Sequence, residues 1–198
     1  EFSNMKKTIT SLLILTMAVS LAGCGSKPAN DPPKPQGTVI ESAVDFYTEV
    51  WDAFGEDKQF SAVGGDAENE AEAPAKFAMT DENKEIFEYL LHVNDELYDM
   101  LDDDTATLQH MMNTNTFSSA FAKLKDTSKA EEFAEDYKAE IQGQHWMCGF
   151  PDKVVVISVA DYVMMAYGAE ECVDDLVEAC SEVAPDSTVL VDAPAVLD

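Results

Sequence analysis

The sequence predicts an α+β domain in which two or three helices precede a region of alternating strands and helices. Apolar residues recur at helical spacing through much of residues 38–104, whereas short apolar or alternating runs typical of strands appear only after residue 105. Helical segments separate these later runs from one another. At 198 residues the chain has the length of about one domain, so we expect residues 38–104 and 105–198 to pack together.

Two helical segments are predicted in the N-terminal part. Residues 38–41 have the pattern of a capping box, and the apolar spacing that follows predicts a helix of about 16 residues that ends at Gly55. A second segment is predicted over residues 81–102, with a break at Asn94 as an alternative. Its end is placed at the three consecutive aspartates 102–104, because negative charge opposes the helix dipole at a C-terminus.

The C-terminal part contains four predicted strands and two predicted helices. Residues 113–125 alternate as a strand with one solvated face does, and residues 154–159 form an apolar run typical of a central strand. The other predicted elements are a helix that opens at Ser128 and ends before Gly143, a strand over 162–167, a helix over 170–183 and a strand over 188–191. This order matches the split β-α-β arrangement, so we predict a two-layer, ferredoxin-like sandwich preceded by the helices.

The beginning of the chain carries the pattern of an export signal. A short cationic start at residues 5–7 precedes an uncharged apolar run, which closes on a Leu-Ala-Gly-Cys box that ends at Cys24. This pattern resembles the signal peptides of bacterial lipoproteins, whose box matches here at all four positions. The resemblance implies that residues 5–23 are removed and that Cys24 carries diacylglycerol on its sulfur. We predict no other cofactor.

Short segments flank this signal on both sides. We interpret residues 1–4 as a remnant upstream of the initiating Met5. Residues 24–37 contain four of the eight prolines of the chain, which predicts a stiff tether that reaches about 40 Å at about 3.1 Å per residue. We therefore expect an extracytoplasmic domain that is anchored to the cell membrane through Cys24 and held at a distance from it.

The charge of the chain is strongly negative and unevenly placed. The chain has 39 acidic residues and twelve lysines, which gives a net charge of -27. Residues 1–37 contain two of the acids and four of the lysines, so the remaining 37 acids and eight lysines give residues 38–198 a net charge of -29. Such a domain excludes nucleic-acid binding by phosphate neutralisation and is repelled by an anionic lipid leaflet. It favours neutral or cationic partners, either an extracytoplasmic protein or a small molecule.

Parts of the domain also resemble other proteins. The motifs are residues 110–117, 144–153, 161–163 and 167–168, within residues 105–182. They are similar to a recurring pattern in uncharacterised small lipoproteins of Gram-positive gut anaerobes. The resemblance implies an extracytoplasmic, lipid-anchored domain of unknown function, and it supplies no catalytic residue.

The helix-to-strand connection at residues 144–153 is the main candidate site, because connections often display functional side chains. Trp146 and Phe150 are candidate contacts for a ligand or partner, together with Asn113 and Asn115. As an alternative, Trp146 and Phe150 cap the core beneath the loop. The sequence contains no nucleophile elbow, zinc-protease motif or phosphate loop. The predicted function is therefore a non-enzymatic binding or interaction module.

A metal-handling or redox lipoprotein is the alternative function. His145 and Cys148 could ligate zinc or copper, and Met147 suits a soft metal, but His-x-x-Cys supplies only two ligands. Eight positions separate Cys172 from Cys180 on one predicted helix, so these two thiols cannot bond to each other. Whether Cys148 pairs with one of them, or all three stay reduced, is open.

Alternating acids between Asp66 and Glu72 partly match a calcium-binding loop. Ala71 stands where an EF-hand has glycine, and Phe77 stands where it has its final glutamate, so the EF-hand pattern fails. We expect a solvated acidic loop, with weak cation binding as the alternative.

Overall fold

An antiparallel sheet with helices on both faces forms the centre of the protein. The computed structural model describes residues 37–197. In chain order its elements are α1 (Ala43–Ala53), β1 (Ala62–Val63), β2 (Ala75–Lys76), α2 (Lys84–Leu91), α3 (Asp95–Asp99), β3 (Leu101–His110), β4 (Phe117–Leu124), α4 (Ala130–Gln142), β5 (Lys153–Val159), β6 (Tyr162–Gly168), α5 (Glu170–Val183) and β7 (Thr188–Pro194). Within residues 37–197, no helix has the length and apolar character needed to cross a membrane.

The predictions for the start of the chain lie outside the described residues. They are the upstream remnant 1–4, the signal peptide 5–23, the lipidated Cys24 and the tether up to residue 36. The described residues belong to one compact unit. Strand β3 begins before the predicted boundary at residues 104 and 105, and β1 and β2 of the N-terminal part pair with it.

The strand order is β1-β3-β4-β6-β5-β7, with β2 also paired to β3, and every pair is antiparallel. The unit β4-α4-β5 is a split β-α-β unit with β6 inserted, and β6-α5-β7 is a second one with β5 inserted. Both units step in the same direction across the sheet, but they start from strands of opposite direction. Right-handed crossovers therefore put α4 and α5 on opposite faces.

Two separate cores confirm that helices cover both faces of the sheet. On one face, α1 and α5 pack against alternate strand residues such as Phe121 and Ile157. On the other face, α2, α3 and α4 pack against the intervening residues, such as Ala122 and Val156. The α+β content is confirmed, the prediction of two layers is wrong, and a ferredoxin-like sandwich is not confirmed. Local periodicity does not reveal which strand β7 pairs with. Because β7 pairs with β5, helix α5 lies on the face of the sheet opposite to α4.

The predicted solvated face of the strand at residues 113–125 is also wrong. Strand β4 begins at Phe117, and of its residues only Lys123 is not buried. The strand lies between β3 and β6 and is covered by α1 on one face and by α2 on the other. Alternation of small polar and apolar residues in this strand therefore marks two packed faces, not one wet face.

Helix α1 begins later than the predicted capping box at residues 38–41. Ser42 is its N-cap, and the Ser42 hydroxyl oxygen accepts a hydrogen bond from the backbone N of Asp45 at 3.1 Å. Thr38 instead binds Asp186 in the α5–β7 connection: its backbone N donates to Oδ2 at 2.9 Å, and its hydroxyl donates to Oδ1. The capping pattern at residues 38–41 is followed directly by a second one that begins at Ser42. Because Thr38 binds Asp186 instead, the helix begins at the second pattern.

The predicted helix over residues 81–102 is divided and shortened. Helix α2 ends at His92, whose φ of 52° is left-handed. Asn94 then caps α3, because its side-chain oxygen accepts from the backbone N of Leu97 at 2.9 Å. The alternative of a break at Asn94 is confirmed, whereas the end at the three aspartates is wrong.

Those aspartates begin strand β3, which the sequence did not predict. Asp104 accepts a hydrogen bond from the backbone N of Ala43 at 3.0 Å and another from the hydroxyl of Tyr162 at 2.5 Å. Burial and the neighbouring Asp104 carboxylate raise the pKa of Tyr162, so its hydroxyl stays a donor. Partners from α1 and β6 thus accommodate an acid that is unfavourable in strands by local propensity.

The chain enters the fold at one end of the sheet, and two exposed connections lie at the other end. The β3–β4 turn and the α4–β5 loop lie where β5 begins at Lys153. The α5–β7 connection lies at the opposite end, because Thr188 at the start of β7 pairs with Ser158 near the end of β5. Thr38 is bound to Asp186 of that connection, so residue 37 lies at the end opposite to the turn and the loop.

Candidate functional site

A pocket of about 300 Å³ lies at the end of the sheet remote from Thr38. Three segments line it: the end of α2 with Tyr89 and His92, the β3–β4 turn with Thr114 and Asn115, and residues 144–148 of the α4–β5 loop. The structure thereby brings together Trp146, Asn115, His145 and Cys148 from the candidates that the sequence predicts. Tyr89 and His92 join them and were not predicted.

Hydrogen bonds from the β3–β4 turn hold the α4–β5 loop in place. The side-chain amide of Asn115 donates to the carbonyl oxygens of Cys148 at 3.1 Å and of Gly149 at 3.2 Å. Asn113 orients this turn, because its side-chain oxygen accepts from the backbone N of Asn115 at 3.0 Å. Both asparagines therefore position the loop through these bonds.

Gly149 shows how closely the turn and the loop approach. Its φ is +94°, a conformation that favours glycine, and a Cβ built there lies 2.9 Å from Nδ2 of Asn113. Any other residue at this position meets both a strained backbone and a steric clash. The fold of the loop thus depends on a glycine that the sequence analysis did not single out.

Aromatic rings form the inner wall of the pocket. Trp146 is half-buried, with its ring centroid 4.9 Å from that of His92 and 5.4 Å from that of Tyr167. The Tyr167 hydroxyl donates to the Leu90 carbonyl at 2.9 Å, and burial raises the pKa of Tyr167 to about 12. Burial lowers the pKa of His92, which favours the neutral imidazole. Trp146 therefore belongs largely to the wall, as the core-capping alternative predicts.

Two of the residues that line the pocket are exposed apolar side chains, Met147 at 86% and Tyr89 at 74%. Phe150, two positions after Cys148, is 68% exposed and does not cap the core. Large apolar side chains that are this accessible at the opening of a pocket typically mark an interaction site.

The pocket is free of the negative charge that dominates the rest of the protein. No lysine, aspartate or glutamate is among its lining residues, or in residues 105–122 and 141–151 of the sequence. By contrast, the pocket between α3 and α4 is lined by Glu96, Glu132, Asp136 and Glu140. Two uncharged segments in a chain with 39 acidic residues are the sequence signal that could have located this end of the molecule.

The structure also describes the predicted metal ligands. His145 and Cys148 both line the pocket, beside Met147. Within residues 37–197, no group of three or more histidine, cysteine, aspartate or glutamate side chains is arranged to hold a metal ion. The two predicted ligands are thus close in space to the same opening, and the described residues supply no third ligand of these types.

The three cysteines of the described part are free thiols. Cys148 is exposed, whereas Cys180 is buried under α1, where burial raises the pKa of its thiol to about 12. Burial and the nearby Asp175 and Glu171 also raise the pKa of Cys172. Thiols with raised pKa values are poor nucleophiles at neutral pH, so α5 carries inert cysteines.

The acidic loop after β1 is organised by one buried carboxylate. Asp66 accepts hydrogen bonds from the backbone N of Ala78 at 2.7 Å, of Glu68 at 2.9 Å and of Asn69 at 3.1 Å, and from the Asn69 side chain at 2.8 Å. Burial opposes ionisation, but these donors outweigh it and hold the pKa of Asp66 below its usual value. Asp66 is therefore a structural acceptor within the loop, and Glu70 and Glu72 are exposed.

Comparison of the chain with protein-family models, with curated proteins and with solved structures finds no match.

Proposed function

We propose that the protein is a membrane-anchored extracytoplasmic lipoprotein whose folded part is a non-enzymatic binding module. The observation that carries the proposal is the uncharged pocket with its exposed apolar rim in a domain of net charge -29. Exposed apolar side chains lower the solubility of a protein unless a partner covers them. A protein this acidic has many other residues with which to fill its surface, so apolar side chains at the pocket support a binding role. The partner is an extracytoplasmic protein or a small molecule.

The position of the pocket supports an outward-facing site. Thr38, just after the tether, is bound to Asp186 at the far end of the sheet from the pocket. A strand of seven residues such as β5 spans about 23 Å at about 3.3 Å per residue. If Cys24 carries the lipid, the tether leads to the membrane from one end of the domain and the pocket opens at the other.

The anchor can be tested by labelling growing cells with radioactive palmitate. We expect label on the wild-type chain and on Cys148→Ala, and none on Cys24→Ala, because diacylglycerol is attached through the Cys24 sulfur. Equal labelling of Cys24→Ala contradicts the anchor.

The binding site can be tested by photocrosslinking in intact cells. A photoreactive amino acid replaces Phe150 in one strain and Val39 in the control strain; Val39 is 81% exposed and lies beside Thr38 at the opposite end. We expect a discrete adduct from position 150 that disappears when Met147→Ser is added, and no such adduct from position 39. The same adduct from both positions, or none from position 150, argues against a binding module at this end.

The metal-handling or redox function stays an alternative, favoured by the shared position of His145 and Cys148 at the pocket. Its test is the metal content of protein isolated from its host. Stoichiometric zinc or copper that is lost in His145→Ala supports the alternative, and substoichiometric metal in the wild type rejects it.

A further inference from the structure

From the pocket and the charge of the domain we infer that the partner is a basic polypeptide that inserts one large apolar side chain between Tyr89, Trp146 and Met147. This inference rests on the proposed binding function and names the chemistry of the partner.

The size and lining of the pocket fit one protein side chain. About 300 Å³ is at the lower limit of the pockets that hold whole small-molecule ligands, which reach about 1,000 Å³. Protein interfaces commonly centre on a single aromatic or aliphatic anchor that fills a pocket of this kind. Met147, which lines the pocket, has a flexible side chain that can adapt to the shape of an inserted apolar group.

The charge of the domain that carries the pocket favours a basic partner. Residues 38–198 contain 37 acidic residues and eight lysines. Six of the eight lysines of this part are already in ion pairs, so most carboxylates keep their charge uncompensated. Lysine or arginine residues that flank the inserted side chain complement this field, which also accelerates the encounter.

The same observations disfavour two other occupants. A second copy of the chain brings another domain of net charge -29 to the interface, and like charges oppose such an association. The membrane that carries the anchor lies on the side of Thr38, whereas the pocket is at the opposite end of the sheet.

Three labelled nine-residue peptides test the inference by fluorescence anisotropy, with the full lipidated chain held in phosphatidylcholine nanodiscs. The first peptide has a central tryptophan between four lysines; in the second, serine replaces the tryptophan; in the third, glutamates replace the lysines. We expect the first peptide to bind at least tenfold more tightly than the others and to weaken as salt is raised. Tyr89→Ser and Met147→Ser, at two exposed residues that line the pocket, should each lower its affinity about tenfold, and Val39→Ser should not change it.

Each contrary outcome is distinguishable. Equal binding of the serine peptide, or wild-type affinity in Tyr89→Ser, shows non-specific attraction and overturns the inference. Equal binding of the glutamate peptide refutes the basic partner but leaves an apolar binding pocket in place. Self-association that is lost in Tyr89→Ser assigns the site to a second copy and also overturns it. If no peptide binds, the inference is wrong, and the crosslinking experiment alone decides the proposed function.

Discussion

The side-chain amide of Asn115 donates a hydrogen bond to the carbonyl oxygen of Cys148 at 3.1 Å, across 33 positions of the sequence. Asn115 lies on the turn between β3 and β4, and Cys148 lies on the loop between α4 and β5. One side chain thus joins two connections, and both of them line the pocket. This link therefore helps to fix the geometry of the candidate site.

Replacement of Asn115 with alanine tests this link. Asn115→Ala removes both bonds to the loop, and hydrogen bonds of this type contribute about 0.5–1.5 kcal/mol each. We expect a modest loss of global stability and much faster hydrogen exchange in residues 144–150, measured by mass spectrometry. Ser181→Ala, which loses one hydrogen bond on α5, serves as the control and should leave exchange in the loop unchanged. Unaltered loop exchange in Asn115→Ala contradicts a positioning role.

Gly149 offers an independent test of the same loop. Gly149→Ala forces a side chain into a left-handed backbone and against Asn113, which we expect to cost at least about 1 kcal/mol of unfolding free energy. Gly143→Ala is the matched control, because Gly143 has a φ of -82° that alanine adopts readily. Chemical denaturation of both variants gives the comparison. A Gly149→Ala protein as stable as Gly143→Ala shows that the loop is not held as described.

The pH dependence of stability reports on His92. Burial lowers the pKa of His92, so below its ordinary value of about 6.5 the unfolded chain binds a proton more readily than the folded chain does. The contribution of His92 to the free energy of unfolding is therefore fully present above about pH 6.5. It is lost as the pH falls from there toward the pKa of His92 in the folded protein. His92→Asn, which tolerates the left-handed backbone, should flatten the melting temperature in this window. A wild-type profile in His92→Asn rules out the assignment.

Thiol reactivity distinguishes the three cysteines. We expect one fast reaction with a chromogenic disulfide reagent, from the exposed Cys148, and slow or absent reaction of Cys172 and Cys180 until the chain unfolds. Cys148→Ser should abolish the fast phase. Absence of a fast phase in the wild-type protein before reduction indicates that Cys148 is in a disulfide, contrary to the structure.

Elements with strong local patterns were predicted well. The helix opening at Ser128 and the helix over residues 170–183 correspond to α4 and α5, and the run at 154–159 corresponds to β5. Their apolar spacing reflects burial against one sheet, so the pattern carries the information. Strand β3 was missed because Asp104, near its start, is satisfied by Ala43 and Tyr162, which are distant in sequence.

The candidate site was predicted in part for the same reason. Trp146 and Phe150 were singled out because they lie in a helix-to-strand connection, where functional side chains are often displayed. Tyr89 and His92 could not be found from spacing, since they reach the pocket only after α2 ends in a left-handed residue. The role of Asn115 depends on the approach of two loops, which no local pattern contains.

The sequence by itself determined the α+β class, most helices and central strands, the strong negative charge and the uncharged segments, because each depends on composition or on periodicity over a few residues. It also carries the lipoprotein-like signal, which remains a prediction. Only the tertiary structure decided that helices cover both faces of the sheet, that Thr38 and the pocket lie at opposite ends, and that Trp146 is half-buried in the pocket wall while Phe150 is exposed. These features follow from strand order and from contacts between residues that are distant in sequence. Such contacts stabilise the protein only once the chain has folded, so no local pattern encodes them.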